Sequence, residues 1–154
     1  MSEQTSAVLS ISSQDIRVTT LGLSQLAGTP QTIPAHEPLT RKLRAADGVL
    51  SRRGWLAGAE RALTDPDAPQ PLRHARPDDT VEVRLTLDML RLAAQAAQAF
   101  LDRPVPVCEP FGPSKGQLID PPERVLPTLR RYQRAVEVLE GRAKLAAAER
   151  ALLD

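Results

Sequence analysis

A chain of 154 residues with a formal net charge of +1 is long enough to bury a core and has no overall field to draw it to nucleic acid or a membrane surface. Only Trp55, Phe100, Phe111 and Tyr132 are aromatic, so the core is expected to consist of Leu, Val and Ala, and base-stacking platforms are scarce. The lone Cys108 excludes an internal disulfide framework and suits a reducing, cytoplasmic compartment, while the opening MSEQTSAVLSISSQD lacks the basic segment and long apolar run of a signal peptide.

Fourteen prolines lie in three zones, 30–38, 66–77 and 104–127, leaving 39–65, 78–103 and 128–154 to hold one main helix each. These stretches share no residue pattern, so they are not a repeat. Residues 1–14 are Ser-rich and read as a flexible N-terminus in which Val8, Leu9 and Ile11 are strand candidates; residues 15–154 read as a single helix-rich domain. Ile16, Val18 and Thr20 alternate, which predicts a short strand at about 16–20. LGLSQLAG then reads as a helical turn closed by Gly28, followed by an extended loop. From Pro38 the spacing Leu39, Leu43, Ala46, Leu50 is helical, but Asp47-Gly48 predicts a break, with a second helix from about Leu50 to Leu63 that is weakened by Gly54 and Gly58. Trp55 is expected to be a core anchor.

The stretch from Asp78 to Arg103 organises the chain. Val81, Val83 and Leu85 alternate with Thr80, Glu82 and Arg84, predicting a strand over about 80–86 with one buried face. At Thr86 the period changes: Thr86 is an N-cap and Asp88 sits in the first turn of a helix over about 87–101. Its polar residues Asp88, Arg91, Gln95, Gln98 and Asp102 trace one narrow stripe and everything else is apolar, so this helix is expected to be central and covered on several sides. It is too short and too polar to span a membrane.

The long connection 103–122 ends at Asp120, which reads as the cap of the last helix, with Pro121 in its first position and Glu123 completing a capping box; Pro127 allows a later start near Leu126. Leu129, Tyr132, Val136, Leu139, Ala143 and Ala146 follow by threes and fours, while Val138, Leu145 and Leu152 form a second stripe seven residues apart. The first stripe suits a bundle helix, and the second leaves room for a partner.

Catalytic chemistry is not evident. GPSKG at 112–116 lacks the spacing of a phosphate loop, and Pro113 removes an amide. His36 and His74 have no partner at ligand spacing, no histidine is tied to Cys108, and Asp65/Asp67 and Asp78-Asp79 read as turn residues. No cofactor or metal is expected. Charge is uneven: Arg41, Lys42, Arg44, Arg52, Arg53 and Arg61 outnumber the acids of 37–64, and Arg124, Arg130, Arg131 and Arg134 crowd the start of the last helix. Bases near a helix N-terminus oppose its dipole and call for an anion, either Asp78, Asp79 and Glu82 or an external phosphate or acidic partner.

VEVRLTLDMLRLAA resembles the strand-plus-helix opening of ribbon-helix-helix repressors, which implies a DNA-facing row Thr80, Glu82, Arg84 and Thr86; the Pro-rich stretch before the next helix departs from that pattern. Residues 43–58, LRAADGVLSRRGWLAG, resemble a helix-turn-helix, with Arg44 where a small residue is usual. The fold class expected is mainly α, or α+β where strands pair: three or four helices around the central one, with one or two short strands. The function expected is non-enzymatic protein–protein association, as a homo-oligomer or a subunit of a larger assembly, through Leu129, Tyr132, Val136, Leu139, Val138, Leu145 and Leu152. The alternative is a small nucleic-acid-binding regulator that uses Arg41, Lys42, Arg44, Arg52, Arg53, Arg130, Arg131 and Arg134.

Overall fold

Thr86 switches the chain from one period to the other. In the computed structural model, which describes residues 6–26, 33–67, 76, 78–104 and 120–154, strand β2 (Thr80–Thr86) runs directly into helix α3 (Leu87–Asp102), and the Thr86 side chain accepts the Met89 amide at 3.3 Å. Asp88, Arg91, Gln95, Gln98 and Asp102 are exposed along one line, and the remaining residues of α3 are buried or half-buried. The sequence expectation of a central helix holds. Two others pack directly on it, α1 (Ser13–Gln25) and α4 (Pro122–Leu153), while α2 (His36–Thr64) lies mainly against β2 and α1.

The partner of β2 is strand β1 (Ser6–Ser12), antiparallel and in register Ala7↔Leu85, Leu9↔Val83, Ile11↔Val81. These pairs share the buried face, and Val8, Ser10, Glu82 and Arg84 lie on the exposed one. The strand candidates Val8, Leu9 and Ile11, read within a flexible N-terminus, thus lie in a paired strand over Ser6–Ser12, while the strand expected at 16–20 is helix. The reason is a capping box. Ser12 Oγ accepts the Asp15 amide at 3.2 Å and Asp15 Oδ2 accepts the Ser12 amide at 2.8 Å, so the helix begins at Ser13 and overrides the alternation of Ile16 and Val18.

Helix α1 crosses α3 in backbone contact. A Cβ on Gly22 would stand 1.9 Å from the Ala96 carbonyl oxygen, so the crossing requires a residue with no side chain there, and Ala93, Ala96 and Ala97 are fully buried around it.

Helix α2 is continuous, which removes the predicted break and, with it, the helix-turn-helix. Leu39, Leu43, Ala46 and Leu50 form one buried line that crosses Gly48 without interruption. A turn there would rotate Leu50 out of the core, and that loss outweighs the roughly 1 kcal/mol that glycine costs in a helix. Trp55 is also corrected: at 42 % exposure it lies beyond the last buried residue of α2, on the half that leaves the core.

Helix α4 begins at Pro122 with Pro121 as N-cap and no side-chain cap, not at Leu126, and it carries Pro127 inside. Asp120 is not a cap. It is buried and held in a two-point pair by Arg17, Nε to Oδ2 at 2.8 Å and Nη2 to Oδ1 at 2.6 Å. Among the described residues no helix is long and apolar enough to cross a membrane.

Candidate interaction surfaces

The largest polar cluster in the core ties β1, α1 and α4 together. The Asp15 carboxylate accepts the Ser12 amide, the Thr128 hydroxyl and Arg131 Nη2, the last at 2.5 Å. Thr19 Oγ1 donates to the Asp15 carbonyl at 2.7 Å and shares a 2.7 Å hydrogen bond with the Tyr132 hydroxyl. Burial alone would raise the Asp15 pKa, but the Arg131, Thr128 and Ser12 donors outweigh it and hold the carboxyl below its usual range. Burial pushes the Tyr132 hydroxyl up to about 12, against the smaller lowering effect of the Thr19 hydrogen bond. With its oxygens engaged by donors and its side chain 5 % exposed, Asp15 is suited to holding three elements in place and has no open position for a reacting group.

Arg131 reaches further. Its Nη1 donates to the Ser10 carbonyl at 2.5 Å, so that carbonyl points away from β2. In an antiparallel ladder the outward-pointing residues alternate, which places the Val8 amide and carbonyl and the Ser10 amide on the same outer edge. Among the described residues none bonds those of Val8. Between that edge and α4 lies an open groove of about 490 Å³, with Val8, Ala135 and Val138 as its apolar lining and Arg130, Arg131 and Arg134 along α4. Arg131 is tied to Asp15, whereas Arg130 and Arg134 form no ion pair with any described residue.

The other predicted basic group lies elsewhere. Arg41 pairs with Glu37 one turn away at 2.9 Å, Lys42, Arg44 and Arg52 are exposed on α2, and Arg53 donates to the Thr80 carbonyl at 2.8 Å beside Asp79 at 3.5 Å. Thr80 pairs with Ser12 in the same alternation as Ser10 with Glu82, so its carbonyl marks the outer edge of β2. An arginine from each long helix therefore takes a carbonyl on opposite edges of the ribbon, and the two basic groups do not converge. The internal anions are Asp79 for Arg53 and Asp15 for Arg131. The Ser12-x-x-Asp15 spacing was the signal for the second. Because β2 pairs with β1 of its own chain, Thr80, Glu82, Arg84 and Thr86 belong to an intrachain ribbon, unlike the interchain pair implied by the repressor resemblance.

The predicted association face divides in two. Leu129, Tyr132 and Leu139 are buried inside the chain and Val136 is half-buried against the same core. Val138, Leu145 and Leu152 are exposed, increasingly so toward the C-terminus, at 45, 59 and 86 %. Gly141 and Ala148 lie between them, also exposed, completing a line 138, 141, 145, 148, 152 with steps of three and four. From Gly141 onward every residue of α4 is exposed except Ala146, which is half-buried, so this part is an arm standing clear of the core. His74, Cys108, Phe111 and the 112–116 segment lie outside the described residues. Among the described residues no group of three His, Cys, Asp or Glu is placed to hold a metal ion.

Compared with protein-family models, curated proteins and solved structures, the chain matches none.

Proposed function

We propose that this protein is a non-enzymatic association module that pairs with a second copy of itself through the arm of α4. The observation that carries the reading is the exposed line Val138, Gly141, Leu145, Ala148, Leu152, most of it on the part of α4 that no described element covers. An isolated helical segment of this length is marginal in water, and a seam of large residues alternating with small ones becomes stable when another helix covers it. Gly141 supports the reading further. A Cβ there meets nothing within 4 Å, so no internal packing explains a glycine that weakens an exposed helix. In an antiparallel pair, Leu145 of each copy lies over Gly141 of the other and Val138 over Ala148, large against small, with Leu152 at the end of the seam opposite Arg134; a parallel pair would stack glycine on glycine and leave a void. The lone cysteine of the chain fits a cytoplasmic setting for this role.

Sedimentation velocity tests it. The native chain is expected to sediment as a dimer or larger species with little salt dependence, and Leu145→Glu with Leu152→Glu to be monomeric with an unchanged thermal midpoint. A strictly monomeric native protein at tens of micromolar would end the proposal.

A further inference from the structure

We propose that the groove between the outer edge of β1 and α4 binds an extended segment of a partner protein, an apolar core flanked by acidic residues, which adds to β1 as a third strand. This surface lies apart from the centre of the α4 seam, sharing Val138 with it and, in the antiparallel register, Arg134 at its end.

Three observations converge on it. The first is the edge. Val8 presents both its amide and its carbonyl outward with no described residue bonded to either, the arrangement by which an incoming residue makes a pair of ladder hydrogen bonds, and the Ser10 amide extends the row. The second is the lining. Val8 is 49 % exposed and faces the groove together with Ala135 and Val138, an apolar surface suited to the alternate side chains of a strand. The third is charge. Arg130, Arg131 and Arg134 line α4 on the far side; Asp15 neutralises one, and the other two pair with no acid among the described residues. A carboxylate on the bound segment meets them at hydrogen-bonding range of a planar guanidinium, which binds carboxylates at two points.

Phosphate would satisfy the arginines equally well. The strand edge and the apolar lining favour a peptide, and among the described residues no aromatic lines the groove to stack a base. The Arg131 hydrogen bond to Ser10 marks one end of the available edge. Beyond it the strand turns into the capping box of α1, so the partner is expected to lie with its apolar centre opposite Val8 and an acidic end near Arg131 and Arg134.

The experiment is fluorescence anisotropy of the whole protein with a labelled peptide that has a Val-Thr-Val-Thr-Val centre between paired Asp and Glu residues. Saturable binding is expected that weakens with salt, and that falls at least about tenfold for Arg130→Glu with Arg134→Glu, whose side chains are exposed and unpaired. A peptide N-methylated at alternate central residues is expected to bind at least about tenfold more weakly, because it cannot donate to the edge. Leu145→Glu with Leu152→Glu is expected to leave binding intact, which separates this groove from the dimer seam. The proposal is overturned if the acidic peptide does not bind at low salt, if N-methylation leaves binding unchanged, or if a thymidine single strand binds while the peptide does not.

Discussion

Replacing Gly22 by Ala adds one methyl group where the crossing of α1 and α3 leaves no room for it. The new Cβ would stand 1.9 Å from the Ala96 carbonyl oxygen and 2.4 Å from the carbonyl carbon. Both are backbone atoms, so no side chain can rotate away. Ordinary contact begins at 3.4 Å, so α1 must move off α3 by about 1.5 Å or bend around the clash. A gap of 0.5–1 Å already forfeits about a quarter to a half of a dispersion contact, and the residues losing contact include Val18, Leu23, Ala93 and Ala97, all buried. Alanine favours the helix by about 1 kcal/mol over glycine, so the net destabilisation expected is about 3 kcal/mol. With a urea dependence of about 2 kcal/mol per molar, the unfolding midpoint followed by circular dichroism falls by about 1.5 M. Gly48→Ala is the control, since its Cβ meets nothing within 4 Å and only the propensity gain remains, raising the midpoint by about 0.5 M. A Gly22→Ala midpoint at or above that of the native protein would refute the backbone crossing.

Asp15→Asn should destabilise the protein by about 2 kcal/mol, less than a fully buried pair would lose because water reaches Arg131. The lowered Asp15 pKa has a signed consequence: its contribution is complete above about pH 4 and is lost as pH falls through the lowered value, so native stability should drop in acid with a limb missing from Asp15→Asn, read as urea midpoints across pH. Tyr132 acts at the other end. Its hydroxyl ionises near 10 when unfolded and about 12 when folded, so stability should fall as pH rises from 10 toward 12, and Tyr132→Phe should abolish that fall. Gly141→Leu should leave the monomer at least as stable, because leucine favours a helix and the position is open, yet weaken self-association by blocking close approach; a tighter assembly by sedimentation would rule out the large-against-small register.

Local signals were legible and spatial ones were not. Thr86, the alternation before it and the polar stripe after it defined β2 and α3, because cap, period and polarity all depend on near neighbours in the chain. The same grammar was present at Ser12-x-x-Asp15, but Ile16 and Val18 happen to alternate on one turn of helix, and a two-residue coincidence imitates a strand. Asp120 has the composition of a cap, and only the fold brings Arg17 to it across 103 residues. Gly48 reads as a break because propensity is local, while the buried line that keeps α2 intact depends on β2 and α1. At the candidate surfaces, the spacing of Val138, Leu145 and Leu152 was visible in the sequence. The groove was not, since it needs the outward parity of Val8, the position of α4 beside it, and the knowledge that Asp15 claims Arg131 and leaves Arg130 and Arg134 unclaimed.

The polar cluster around Asp15 sets a schedule for the nascent chain. Asp15 and Ser10 wait for Arg131, and Thr19 waits for Tyr132, across 113 to 121 residues of sequence. At about 5–20 residues per second, a ribosome takes on the order of ten seconds to deliver those partners. For the first part of that interval β1 has no β2, and for all of it the first helix carries a carboxylate whose cation has not been made. The last helix is therefore the clasp of the molecule. The N-terminal segment is synthesised first and locked last, and a message truncated before α4 would release a chain in which β1 can pair with β2 but Asp15, Thr19 and Ser10 lack their clasp.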